Sequence, residues 1–165
     1  MKKIRIQRVI GIFLTVCVMI FIFFMSAQNA KISANTSGSL IAFFAKLITP
    51  RFTELSVLQQ SQIIASYQLI VRKGAHFSIY LVLGITASIF TLTLEKIKKV
   101  LRYALSAVIA LLYAISDEIH QLYVPGRVGG LTDVLIDFGG TLTGLLILAL
   151  ILFVIKKKEI KKRLS

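Results

Sequence analysis

The chain has 165 residues, about one domain's worth, and is 56% hydrophobic with a mean hydropathy of +0.83. That excludes a water-soluble globular domain, because an apolar chain with its charges gathered into clusters is what a bilayer selects. The formal net charge of +13 raises nucleic acid as a partner. However, 14 of the 20 Lys and Arg fall in three clusters that flank apolar runs, where they act as topology signals, so no nucleic acid is expected.

The first apolar run covers residues 9–25 and follows the basic start Lys2, Lys3, Arg5 and Arg8. A signal peptide is the competing reading, with small residues at Ser26-Ala27 as a cleavage site. The run is long for such a segment and the rest of the chain is also membrane-like, which favours a retained helix. Cys17, the only cysteine, lies inside this run and excludes an internal disulfide or a multi-cysteine metal site. An outer amphipathic segment, 36–70, comes next. In it Leu40, Phe43, Phe44, Leu47 and Ile48 keep helical spacing and form one apolar stripe that ends near Pro50, as in a helix lying on a membrane surface. Thr53 is placed to cap a second short helix running towards Gln68.

Three further runs, 75–94, 100–119 and 134–155, are each about long enough to cross ~30 Å of hydrocarbon. Short connections make them antiparallel neighbours. The expected fold is all-α: a single domain over 1–165, a polytopic membrane helical bundle of about four transmembrane helices with one or two short interfacial helices. Four spans put the N-terminus, the loop with Lys96, Lys98, Lys99 and Arg102, and the basic tail 156–165 on one side, which the positive-inside rule makes cytoplasmic. The 29–71 segment and the loop around Pro125-Gly126-Arg127 then face outward.

Ionisable residues recur near the outer ends of three of these helices. Arg72, His76 and Tyr80 are spaced i, i+4, i+8 and share a face, with Lys73 beside them. Asp117 shares a face with His120 and with Gln121, and Glu118 adjoins them. Asp133 and Asp137 are again four apart. An Asp at the centre of an inserted helix costs about 2.5–3.5 kcal/mol and less near the interface. Such residues therefore turn to the bundle interior and pair, Arg72 or Lys73 with Asp117, Glu118 or Asp137. The alternative is that the pairs only brace helices, with Lys73 snorkelling outward. Gly140 and Gly144 make a GxxxG spacing for close helix approach. Pro125, Gly126, Gly129 and Gly130 form a turn whose amides can approach an anion. Ser26 and Gln28 join the polar layer or merely cap the first helix.

With these motifs in view, the chain resembles the VanZ-like family. The resemblance rests on SAQ at 26–28, RKGAHFSIYLVLG at 72–84, SDEIHQLYVPGR at 116–127 and DVLIDFGGTLTG at 133–144, and covers essentially the whole chain. It implies functional weight for Gln28, Arg72, Lys73, His76, Tyr80, Asp117, Glu118, His120, Gln121, Pro125, Gly126, Arg127 and Asp133. Some members carry SSQ in place of Ser26-Ala27-Gln28, and some carry Asn in place of Asp137. The latter takes weight from an acid–base role for Asp137. The family is named for a protein linked to teicoplanin resistance, which implies a bacterial cytoplasmic membrane and a cell-envelope role without supplying a mechanism.

Three functions follow as expectations. One is binding or modification of a lipid-linked cell-wall precursor, an anionic lipid headgroup or a glycopeptide, with Arg72, Lys73 and Arg127 on phosphate or carboxylate. The second is a hydrolase or phosphatase on a lipid phosphate, with His76, Asp117, Glu118 and His120 as candidate catalytic groups. No cofactor is expected, a divalent metal on His76, His120 and Asp117 being a weak possibility. The third is a structural partner subunit, for which the apolar spans and the Gly140–Gly144 face suffice.

Overall fold

A computed structural model describes residues 2–49, 51–127 and 129–164; Pro50, where the sequence ends the apolar stripe, lies outside them. All regular structure among the described residues is helical: α1 (Lys2–Ser26), α2 (Ala30–Ile48), α3 (Val57–Thr91), α4 (Lys99–Gln121) and α5 (Leu131–Leu164), with a single 3-10 turn, Phe52–Glu54, before α3. Among the described residues four helices, α1 from Ile4 and the whole of α3, α4 and α5, are long and apolar enough to cross a membrane.

Helix α3 is the centre of the bundle and packs against α5, α1, α4 and α2. Small residues bring it close to its neighbours, as van der Waals packing between membrane helices requires. A Cβ on Gly140 would fall on the Phe77 carbonyl, one on Gly144 on the Leu81 carbonyl, and one on Gly84 on the Thr141 carbonyl. The GxxxG spacing is thus the α3–α5 seam. Gly11 does the same for α1 against the Phe90 backbone. Ser88, Ser106, Ala110 and Ala114 are fully buried, and Thr91 and Ser106 join α3 to α4 through a 2.6 Å hydroxyl pair.

The helix ends sort by chemistry. Arg8 reaches the Thr93 carbonyl and hydroxyl at 2.9 and 3.2 Å, and Lys99 shares a cavity with Lys156 and Lys157. The three basic clusters therefore lie at one end of the bundle, as the span count requires. Arg102 is also a structural residue, donating to the carbonyls of Leu92, the C-cap of α3, and of Glu95 and Ile97 in the connection to α4.

The segment before α3 differs from expectation. The cap is Ser56, not Thr53: Ser56 Oγ accepts from the Gln59 amide and Gln59 reaches back to the Ser56 amide, a capping box. From there α3 runs unbroken through Arg72, so the expected second short helix and the second span are one element. The cause is local, since no proline interrupts residues 57–91 and Gly74 alone does not stop a helix. At 1.5 Å per residue, Arg72 to Thr91 spans about 28 Å, one hydrocarbon thickness. Residues 57–71 add length to α3 beyond one such thickness, and α2 packs alongside α3. The inner face of α2 is Ile41 and Ala45, which are buried; of the predicted stripe, Phe43, Phe44, Leu47 and Ile48 are exposed, and Leu40, also exposed, edges the space between α2, α1 and α3.

Candidate functional site

At the end of the bundle opposite the basic clusters, α1, α3, α4 and α5 bring polar groups inward. On α3 the i, i+4, i+8 spacing holds: Tyr80 is fully buried, and Arg72 and His76 are half-buried. Asp137 of α5 is fully buried with its Oδ1 3.6 Å from His76 Nδ1. Lys73 donates to Asp133 at 2.7 Å, so its partner is Asp133 rather than Asp117, Glu118 or Asp137. On α4, Asp117 Oδ2 accepts from Ser26 Oγ at 2.9 Å and from Gln121 Nε2 at 3.1 Å, tying α1 to α4. Ser26, which the sequence left undecided, is therefore buried in the polar layer.

The connection to α5 completes it. Gly126 takes a positive φ of 74°, a conformation that favours glycine. Arg127 beyond it folds back, donating to the Gln28 and Met25 carbonyls at 3.1 and 3.3 Å and to Gln121 Oε1 at 3.5 Å. Gln28 thus serves Arg127 through its backbone. The Gly130 amide donates to Glu118 Oε2 at 2.8 Å, so that turn amide is committed to a carboxylate of this chain instead of an outside anion. Burial, and then the nearby charge of Arg72, press the Arg127 guanidinium below its ordinary value. Arg72 itself makes no hydrogen bond or ion pair with any described residue. It stands near a like charge with its donors unused.

Two adjoining cavities meet at Arg72, His76 and Arg127. The polar one is about 20 Å³, room for about one water, and its lining includes Lys73, Glu118, Gln121, Asp133 and Asp137. The other is about 160 Å³ and mostly apolar, walled by Phe21, Ile22 and Met25 of α1, Leu40 of α2, and Val71, Ala75 and Ile79 of α3. Cavities of that order accept one ring or a short run of hydrocarbon. These apolar walls were missed from the sequence. Only Leu40 carried a signal, as a member of the stripe, because lipid-facing and chamber-facing leucines look alike in a membrane helix.

One predicted residue is not brought in. His120 stacks on Phe23 of α1, with ring centroids 4.7 Å apart, and its Nε2 is buried without a partner among the described residues. Three positions along a helix is about 60° short of a full turn, while four is about 40° beyond it. With Asp117 and Gln121 turned to the site, His120 is carried round towards α1. The metal set offered by the sequence, His76, His120 and Asp117, is therefore not assembled. Asp137 stands where His120 was expected: His76, Asp117 and Asp137 each present a ligand atom, all within 4.8 Å of one another.

No curated protein and no solved structure matches the chain. The VanZ/LLP1 family profile matches residues 11–153, a stretch that takes in α3 and α4 whole, most of α1 and α5, the lining of both cavities and every polar residue of the layer. The chain therefore belongs to the VanZ/LLP1 family.

Proposed function

We propose that this protein binds an amphiphile with a phosphate or carboxylate headgroup, a lipid-linked cell-wall precursor or another anionic lipid, at the outer leaflet of the bacterial cytoplasmic membrane. The observation that carries the reading is Arg72: a half-buried guanidinium without a partner among the described residues, near Arg127, at the junction of a polar and an apolar cavity. A guanidinium presents a planar fork of donors suited to phosphate or carboxylate. The apolar chamber gives the adjoining hydrocarbon a place among Ile22, Leu40 and Ile79. The outward orientation is supported by the common end of the three basic clusters. An effect on glycopeptide susceptibility follows if the amphiphile is a precursor that such drugs recognise.

The test is retention of lipid by the purified full chain. Native mass spectrometry after exchange into detergent with equal amounts of polyprenyl phosphate and phosphatidylcholine should show preferential retention of the phosphate lipid. Equal retention of both lipids refutes the reading. A second reading, hydrolysis of the bound lipid phosphate, is favoured by the His76–Asp137 contact at 3.6 Å beside a cavity with room for about one water. It predicts release of inorganic phosphate from polyprenyl or glycerol lipid phosphates, and no turnover on either class refutes it.

A further inference from the structure

The formal charges of the polar cavity do not by themselves suit an anion. Its fixed cations are Arg72, Lys73 and Arg127, and Lys73 is already engaged by Asp133. Against them stand the carboxylates of Glu118, Asp133 and Asp137 in the lining, with Asp117 behind. In the lining itself three carboxylates match three fixed cations, and Asp117 adds a fourth beside them, so a headgroup phosphate meets a mixed wall and not a cationic one.

Two of those carboxylates converge on His76. One ligand atom each from His76, Asp117 and Asp137 lies within 4.8 Å of the other two. Asp137 is 0% exposed, and neither of its oxygens accepts a hydrogen bond among the described residues. A second observation, outside this triad, is Tyr80. It is also 0% exposed, its hydroxyl has no partner among the described residues, and it lies one helical turn beyond His76 on the same face of α3. Buried polar groups left without hydrogen bonds are costly, and Asp137 and Tyr80 are two of them on α5 and α3, which pack against each other.

We infer that His76, Asp117 and Asp137 bind a divalent transition-metal cation. One imidazole nitrogen and two carboxylate oxygens suit Zn²⁺ or Mn²⁺ better than Ca²⁺ or Mg²⁺, which take oxygen ligands. Three atoms no more than 4.8 Å apart all lie within about 2.8 Å of a common point, so bonds of about 2.0–2.2 Å require each ligand to close by less than about 0.8 Å. The hydrogen bonds from Ser26 and Gln121 already orient Asp117, the supporting arrangement that metal ligands use. The adjoining polar cavity leaves an open position for a water or a headgroup oxygen. A bound dication would tip that balance towards positive charge, so the inference deepens the anion-binding reading and rests on it only for the bridging role.

The tag-free full chain, stripped with chelator, is loaded with Zn²⁺ or Mn²⁺ and desalted, and the metal is counted by mass spectrometry. Wild type should retain about one ion per chain, and His76→Gln and Asp137→Asn should each weaken binding about tenfold or more. His120→Gln should bind as wild type does. Elution profile and helix content check that the variants fold, and the wild-type result needs no variant. The inference is overturned if wild type retains less than roughly a tenth of an equivalent, if both ligand variants bind like wild type, or if His120→Gln loses as much as His76→Gln. Lipid retention separates the two proposals. Selective phosphate-lipid retention without metal removes the metal site and leaves the binding reading, while metal retention without lipid preference does the reverse.

Discussion

Replacing Arg72 with glutamine separates a binding site from a brace between helices. In the folded chain Arg72 donates to no described residue and lies near Arg127, whose pKa it lowers. Arg72→Gln therefore orphans nothing and removes a like charge, so stability should stay within about 0.5 kcal/mol of wild type or rise. A bound phosphate, by contrast, loses charge-assisted hydrogen bonds worth about 1.5–3 kcal/mol. At about 1.4 kcal/mol per decade this raises Kd by about 10- to 150-fold. Arg72→Lys, which keeps the charge and loses the planar fork, should fall between. The chain contains no tryptophan, so binding is best followed by polarisation of a dye-labelled polyprenyl phosphate in neutral detergent. A salt series should show the wild-type affinity falling more steeply than that of Arg72→Gln. Binding by Arg72→Gln within twofold of wild type, or a loss of stability as large as the loss of binding, refutes the assignment of Arg72 to a ligand.

Other outcomes test the frame. Gly140→Ala places a methyl on the Phe77 carbonyl and should cost about 1–3 kcal/mol, seen as a lower melting temperature in detergent. Gly139→Ala meets only Phe77 Cε2 at 3.7 Å and should be neutral; equal losses for the two would remove Gly140 from the α3–α5 seam. Ser56→Ala should cost about 0.5–2 kcal/mol and speed amide exchange over residues 57–60 without weakening lipid binding; unchanged exchange would mean the capping box does not hold the start of α3. For orientation, in a background where Cys17 is replaced by alanine, Tyr123→Cys in the exposed α4–α5 turn should react with an impermeant maleimide on intact cells. Lys98→Cys should react only after permeabilisation, and the reverse pattern would invert the proposed topology.

The class of fold and the level of the chemistry are legible in the order of residues alone. Hydropathy and the three basic clusters are one-dimensional consequences of a bilayer, so four spans and a common basic end could be read without coordinates. The i, i+4 spacing of Arg72 with His76 and of Asp133 with Asp137, and that of Asp117 with Gln121, fixed which side chains share a face, because a helix rotates by a constant angle per residue. Tertiary packing decided which face meets which. Lys73 pairs with Asp133 and His76 with Asp137 because Gly140 and Gly144 let α5 slide against the Phe77 and Leu81 carbonyls in that register. His120 was legible as a polar residue, but its turn towards Phe23 depends on where α1 lies. The apolar chamber, above all, is a property of the space between α1, α2 and α3. A leucine that faces lipid and one that walls a cavity obey the same local pattern, and only the placement of a neighbouring helix distinguishes them.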